Sequence, residues 1–381
     1  MTKENFYDNI FYSLVIIIII VIIIIVIVYY LYAARKYLNN DLLRGGNLSS
    51  DNSIVGTSDF KKTIITHNKI GERGDMGNQL FQLAMLYSTG KDNNIEVIIS
   101  PKTQALPLNT LFALEKFRQE ELTPTVEIYE SANYQKLDIP FDGQIYNIHG
   151  YRQAYQYFDH HQKEICKLLQ PREEILGKVR ESLREKVGNR SYLAVHIRRG
   201  DYIKAMHKYR TFREFTRCSL IYYQQAIKNL RENPLFKESP ILVCTDSPDY
   251  VKPFLEELDD NISLAPVIQG ISPKFTDFCV LYLANGIVMS NSTYSWMAAY
   301  LGQDDYYNLS EPREVICPSP WWDKEGFIAQ KLEINGNYLM YRKWIIMDAV
   351  SGQLLKHPSF PTTLPPGQGY EICQIVRGIA I

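Results

Sequence analysis

The chain has 381 residues, 46% of them hydrophobic and 22% charged, with a formal net charge of −1. Those values describe a globular protein long enough for one large domain or two ordinary sub-domains. The near-neutral balance leaves no basic field to recruit nucleic acid or an acidic lipid surface.

The first element in chain order is apolar. Leu14 to Val28 is an unbroken aliphatic run, and with its flanks it covers residues 10–32. At roughly 1.5 Å per residue that is enough to cross a bilayer. Phe11, Tyr12, Tyr29, Tyr30 and Tyr32 sit where an interfacial aromatic belt belongs. A cleaved signal peptide would carry a shorter apolar core, about 7–15 residues, followed by small residues. Residues 1–9 are therefore expected as a short tail and 10–32 as a single transmembrane anchor. Its orientation has evidence on both sides. Arg35, Lys36 and Arg44 after the run favour a cytosolic C-terminal side. Sequons at Asn47, Asn189, Asn261, Asn291 and Asn308 are permissive of a luminal one.

Residues 33–60 are polar, without an apolar period, and are expected as a stem. From there the pattern becomes α/β. Buried strands are predicted at Thr63–Thr66, Glu96–Ser100, Tyr192–Ile197, Ile241–Cys244, Gly286–Met289 and Val315–Cys317. A helix is predicted over Leu80–Thr89. Another is predicted over Pro171–Val187, with Leu176, Val179, Leu183 and Val187 on one face, Pro171 opening it and Gly188 closing it. The alternation implies parallel sheet with helices on both sides, in a catalytic region spanning 61–330. Residues 331–381, with Pro361, Pro365 and Pro366, are expected as a C-terminal appendage. The six cysteines never form a Cys-x-x-Cys pair, which excludes zinc-ribbon and thioredoxin-like sites.

Three segments carry chemistry. Gly74-Asp75-Met76-Gly77-Asn78-Gln79 lies between a strand and a helix, where small residues let backbone approach a ligand and Asn78 and Gln79 offer amides. An ordinary strand-to-helix turn is the plain alternative. His196-Ile197-Arg198-Arg199-Gly200-Asp201 follows a strand, so its arginines emerge at the strand's carboxyl end. A guanidinium there suits a diphosphate, because its planar fork makes bidentate bonds to phosphate oxygens, and Asp201 can lock it in place. A surface ion-pair cluster is the alternative. Ser290-Asn291-Ser292-Thr293-Tyr294-Ser295-Trp296 joins a strand to a helix, and free N–H groups at a helix start favour an anion. Simple N-capping by Ser292 or Thr293 is compatible with that. The sequence has no Asp-x-Asp pair of the kind that holds a divalent metal on a nucleotide-sugar diphosphate, and no Walker loop, Gly-x-Ser-x-Gly elbow or His-Glu-x-x-His.

Together, and in this order, these segments resemble the alpha-1,2-fucosyltransferase family, glycosyltransferase family 11. Further matches are Gly150-Tyr151-Arg152-Gln153 with Tyr157-Phe158, Tyr222-Tyr223 with Ala226-Ile227, Cys244-Thr245-Asp246, Asp277, and Pro318–Trp322. The likeness covers about residues 64–325. Departures are Asp75 in place of a second Gly, Ser247 in place of a second Asp, Ala284 and Gly286 in place of Cys and His, and Met297 in place of a second Trp. They bear on acceptor and linkage more than on the donor.

The resemblance implies a GT-B-like fold of two Rossmann-like lobes, an acceptor side at about 61–190 and a donor side at about 191–330. It implies GDP-fucose as donor, a galactose-terminated glycan as acceptor and inverting transfer without a metal. By matching position, Arg198, Arg199, Asp201 and His196 are the catalytic candidates. Gly74, Gly77, Asn78, Gln79, Asp246, Asp277, Asn291, Ser292, Thr293 and Ser295 are the donor-binding candidates. A single-pass type II protein of the Golgi membrane is expected. The alternatives are a related GDP-sugar transferase with another acceptor or linkage, and an inactive membrane-anchored glycan-binding homologue.

Overall fold

A computed structural model of the chain describes residues 62–72, 74–131, 134–200, 218–303, 313–322 and 336–358. All belong to one compact unit, Phe60–Ile381. The expected anchor and stem, Asp201, and the sequons at Asn47 and Asn308 lie outside the described residues. Among the described residues no helix is long and apolar enough to cross a membrane.

Short strands, the central ones apolar and buried, make two mainly parallel sheets. The first contains β1 (Ile64–Thr66), β2 (Glu96–Ile99), β3 (Arg118–Gln119), β4 (Val126–Ile128) and β5 (Ile145–Ile148). Their order is β3-β2-β1-β5-β4, and every pairing is parallel. The second contains β6 (Leu193–Ile197), β7 (Ile241–Thr245), β8 (Ile262–Leu264), β9 (Gly286–Val288), β10 (Glu314–Ser319), β11 (Ile345–Asp348) and β12 (Leu354–Leu355). Their order is β12-β11-β10-β9-β6-β7-β8, with β12 alone antiparallel. All six predicted strands are present, each within two residues of its expected ends.

The order of each sheet has one place where successive connections depart in opposite directions. In the first sheet it lies between β1 and β5, and in the second between β6 and β9. Ligands of open α/β sheets bind outside the carboxyl ends of strands at such switch points.

Helix α1 (Met76–Asn93) is longer than its predicted core. Asp75 caps it, accepting the Met76 N–H at 2.9 Å, and Asn94 ends it in the left-handed region at φ +53°. Helix α2 (Glu173–Val187) buries the four predicted apolar residues. It begins two residues after Pro171, because Pro171 is held in an isolated bridge with Phe112. Helices α3 (Leu220–Arg231), α4 (Pro273–Leu283) and α5 (Thr293–Leu301) serve the second sheet.

Residues beyond 330 are not an appendage over their described part. β11 pairs in register with β10, Ile316 against Ile345 through Ser319 against Asp348. Tyr341 and Trp344 are buried, and the Tyr341 hydroxyl donates to Asp159 at 2.7 Å. They close around Trp296, which is fully buried among Phe81, Tyr300 and Trp344 at ring distances of 4.7, 5.1 and 5.0 Å. Its indole N–H donates to the Leu339 carbonyl at 2.7 Å.

Cys166, Cys218, Cys244, Cys279 and Cys317 are free thiols, and all but Cys218 are buried. Burial pushes the Cys279 thiol up to about 12 and raises those of Cys244 and Cys317 well above the ordinary range.

Candidate active site

The two switch points meet. The loop after β1 carries Gly74–Gln79, the loop after β6 carries Arg198 and Arg199, and the loop after β9 carries Ser290–Ser292. Gly77 lies so close to the start of α5 that a Cβ there would stand 2.4 Å from Thr293 C and Tyr294 N. Its lack of a side chain serves helix contact, not the ligand approach expected from the sequence. Asn78 Oδ1 accepts from the Thr293 hydroxyl at 2.8 Å and from Gln153 Nε2 at 2.7 Å. One amide thereby ties together the loops after β1 and β5 and the α5 start. Gly74 has φ +78°, a region costly for other residues, and its carbonyl accepts from Gln79 Nε2 at 3.3 Å.

Arg198 pairs with Asp246 Oδ2 at 2.8 Å, both side chains about three-quarters buried (25% and 24% exposed). Asp246 Oδ1 accepts the Arg199 N–H at 3.0 Å. Asp246, at the end of β7, thus holds both the guanidinium and the backbone that follows it. Asp201, expected from the sequence to lock a guanidinium, lies outside the described residues. A Cβ on Gly200 would stand 2.5 Å from Asp246 Oδ2, so the turn needs glycine to admit that carboxylate. Asp75 pairs with Lys274 on α4. Partial burial works to raise the Asp75 carboxyl, but Lys274, the Met76 N–H and the charge of Arg198 outweigh it and hold it below its ordinary value. Charges from both halves of the site therefore act on one another.

Beside this lies a pocket of about 210 Å³, lined by Arg198, Arg199, Tyr250, Phe254, Ser290 and Asn291 among others. The Arg199 guanidinium stacks 3.2 Å from the Tyr250 ring centre, and Tyr250 meets Phe254 at 5.2 Å.

Other candidates face inward. His196 is 4% exposed, with Nδ1 hydrogen-bonded to Ser290 Oγ at 2.8 Å. Burial and the nearby Arg198 charge push it down to about 3, so it stays neutral. It braces the β6 and β9 loops. Ser295 is fully buried and donates to the carbonyls of Ser292 and Ser290 at 3.1 and 3.4 Å. Asn291 is 2% exposed and donates to the Trp321 carbonyl at 3.0 Å, which closes that sequon to a glycan. Ser292 occupies the N-cap position of α5 without a side-chain cap bond, so capping does not consume its hydroxyl.

Asp277, on α4, accepts the Thr245 N–H at 3.1 Å. Burial pushes its carboxyl up to about 7, against that hydrogen bond and with help from Asp246. A raised carboxyl stabilises the fold fully below its unfolded pKa near 4, and that contribution is lost as pH rises through about 7. His67 and His196, pushed down to about 4 and about 3 by burial, act in the opposite sense. Their cost to the fold grows as pH falls below 6.5. Asp277→Asn is therefore expected to gain stability relative to the unsubstituted chain as pH rises from about 4 to about 7 in urea titrations. A pH-independent difference would show that the carboxyl is not raised.

Among the described residues one three-residue group has metal-ligand geometry, Asp92 with His160 and His161. Asp92 lies sixteen positions beyond Met76 on α1, about 24 Å along the axis, well removed from Arg198. Lys274, Gln153 and Tyr250 carried no role that the sequence pattern alone suggested. Tyr250 and Phe254, four residues apart after Asp246, were the one local signal available.

The profile of glycosyl transferase family 11 matches residues 46–314. An Escherichia coli protein named alpha-1,2-colitosyltransferase is 23% identical over 301 residues, 71% of this chain and 96% of its own. Galactoside alpha-(1,2)-fucosyltransferase 1 of Plecturocebus brunneus is 26% identical over 253 residues, 62% of this chain and 66% of its own. Among solved structures, NodZ alpha-1,6-fucosyltransferase soaked with GDP-fucose aligns with TM-score 0.42 and 14% identity, over 66% of this chain and 97% of that one. On the family match, which spans both switch-point loops, the chain belongs to glycosyltransferase family 11 and is a glycosyltransferase.

Proposed function

We propose that the chain transfers L-fucose from GDP-fucose to the 2-hydroxyl of a galactose-type acceptor on a glycan, with inversion and without a metal. The observation that carries this is Arg198, held by Asp246 at the mouth of the β6–β9 switch point, beside the start of α5. Negative charge grows on the departing diphosphate as the sugar gains oxocarbenium character. A fixed guanidinium and the α5 N–H groups stabilise charge where it develops, typically the largest catalytic term. Arg199 on Tyr250 flanks the same pocket. Asn78 Oδ1, taken by Thr293 and Gln153, braces the start of α5.

A second reading keeps the chemistry and changes the sugar: a related GDP-deoxysugar as donor. The colitosyl relative favours it. Anchoring through residues 10–32, with the catalytic part in the Golgi lumen, belongs to the same proposal. Protease digestion of that part in sealed microsomes without detergent would refute it.

The test is direct. The detergent-solubilised full chain is incubated with GDP-fucose, lactose and EDTA, and the product is mapped by NMR. An alpha-1,2-linked fucoside that forms in EDTA establishes donor, linkage and metal independence. Tight GDP binding without transfer moves the assignment to another sugar or acceptor. Failure to bind GDP sinks the proposal.

A further inference from the structure

A second cluster stands at the carboxyl edge of the first sheet. Tyr129 follows β4 and His149 follows β5, and their rings stack at 4.5 Å with 9° between planes. Tyr129 is 67% exposed, so with one face on His149 its other face is open. Glu127 is bonded to His149 Nε2 and accepts from Asn147 Nδ2 at 2.7 Å. Asn147 is in turn fixed by the Asn68 N–H at 3.0 Å. The result is an open aromatic face beside a carboxylate and an imidazole, both oriented by the buried Asn147 amide.

The loop beneath is built, not incidental. Arg152 is 1% exposed and sits at φ +50°, a strained conformation for arginine. Its guanidinium donates to the carbonyls of His149 and Ile128, tying the ends of β5 and β4 together. Glu130 accepts the N–H groups of Tyr151 and Arg152 at 2.8 and 2.6 Å. The same loop then reaches the donor side. Tyr151 lies within 3 Å of where a Gly74 Cβ would be, and Gln153 holds Asn78.

We infer that Tyr129, His149 and Glu127, with buried Asn147 positioning Glu127, form a subsite for one pyranose ring of the acceptor, deepening the proposed function and resting on its glycan acceptor. A pyranose offers an apolar face of C–H groups and a rim of hydroxyls. An open aromatic ring takes the first, and Glu127, its side chain 43% exposed, takes the second. The cluster shares the β1–β5 switch point with Gly74 and Asn78, so a sugar seated there extends toward the transfer site.

The experiment uses the full chain, Tyr129→Ala, Tyr129→Trp and Glu127→Gln, with lactose as acceptor. Tyr129→Ala and Glu127→Gln raise the acceptor KM by roughly tenfold, with kcat, GDP affinity and acceptor-free hydrolysis of GDP-fucose within about twofold. Tyr129→Trp restores the KM because it keeps an aromatic face. An unchanged KM, or a parallel loss of GDP affinity, overturns the inference. If the unsubstituted chain transfers nothing to lactose, the proposed acceptor has failed, and binding to printed glycans with GDP present decides the subsite separately. Glycan signals lost in Tyr129→Ala and kept in Tyr129→Trp support it. No glycan bound by the unsubstituted chain, or equal binding by Tyr129→Ala, overturns it.

Discussion

Arg198→Ala is expected to lower transfer by about a hundred- to a thousand-fold, the loss typical when a preorganised donor to developing charge is removed. The fall belongs mainly to kcat, because the charge that Arg198 meets is largest in the transition state. GDP affinity weakens less. The fold is expected to survive. Asp246 keeps the Arg199 N–H and the Ser247 hydroxyl at 3.3 Å, so no carboxylate is stranded without partners. Arg198→Lys falls between, since an ammonium supplies a point charge where a planar fork is wanted. The measurement is kcat on GDP-fucose and acceptor, alongside GDP titration calorimetry. A variant that retains more than about a tenth of the rate would remove Arg198 from the centre of the mechanism.

The second large effect is on stability. Trp296→Ala is expected to cost about 3–5 kcal/mol, the usual range for deleting a fully buried Trp or Phe side chain. The indole is the contact point of three segments that are distant in sequence. Phe81 comes from α1, Tyr300 from α5, and Trp344 and the Leu339 carbonyl from the C-terminal stretch. Removing it opens a cavity and leaves that carbonyl without its donor. Denaturant unfolding of the variant checks the size, and limited proteolysis checks the place. Cleavage near residues 336–358 ahead of global unfolding is the expected pattern. A cost below about 1 kcal/mol would mean that these residues are not part of the core.

The strands most legible in the sequence were those that run apolar without interruption, such as Leu193–Ile197 and Ile241–Thr245. Parallel strands buried on both faces leave that signature. β5 escaped notice although it is central, because Ile-Tyr-Asn-Ile contains Asn147, whose polarity makes sense only beside Glu127 and Asn68. β11 was hidden by its place next to a Pro- and Gly-rich terminus. The candidate site was legible as far as the arginines, since His-x-Arg-Arg-Gly after a strand is a local pattern. The carboxylate that holds Arg198 was not. Asp246 follows the next strand, and only the parallel pairing of β6 with β7 brings it alongside Arg198. His196 attracted attention for its chemistry, while its burial and its bond to Ser290 on the β9 loop depend on sheet order. The Tyr129–His149 platform had no local signature, because its two rings come from different strands.

The buried thiols have a practical corollary. Cys244, Cys279 and Cys317 are out of solvent, and their thiols stay protonated at neutral pH. Thiolate is the species that attacks an alkylating reagent. In the folded protein these three positions are therefore silent toward maleimide or iodoacetamide, and each becomes reactive only when its own strand or helix opens. Cys244 on β7, Cys279 on α4 and Cys317 on β10 sit in separate elements of the second sheet layer. Their native cysteines make a built-in set of clocks, and labelling followed by peptide mapping would read the order in which that half of the protein comes apart, with no residue changed.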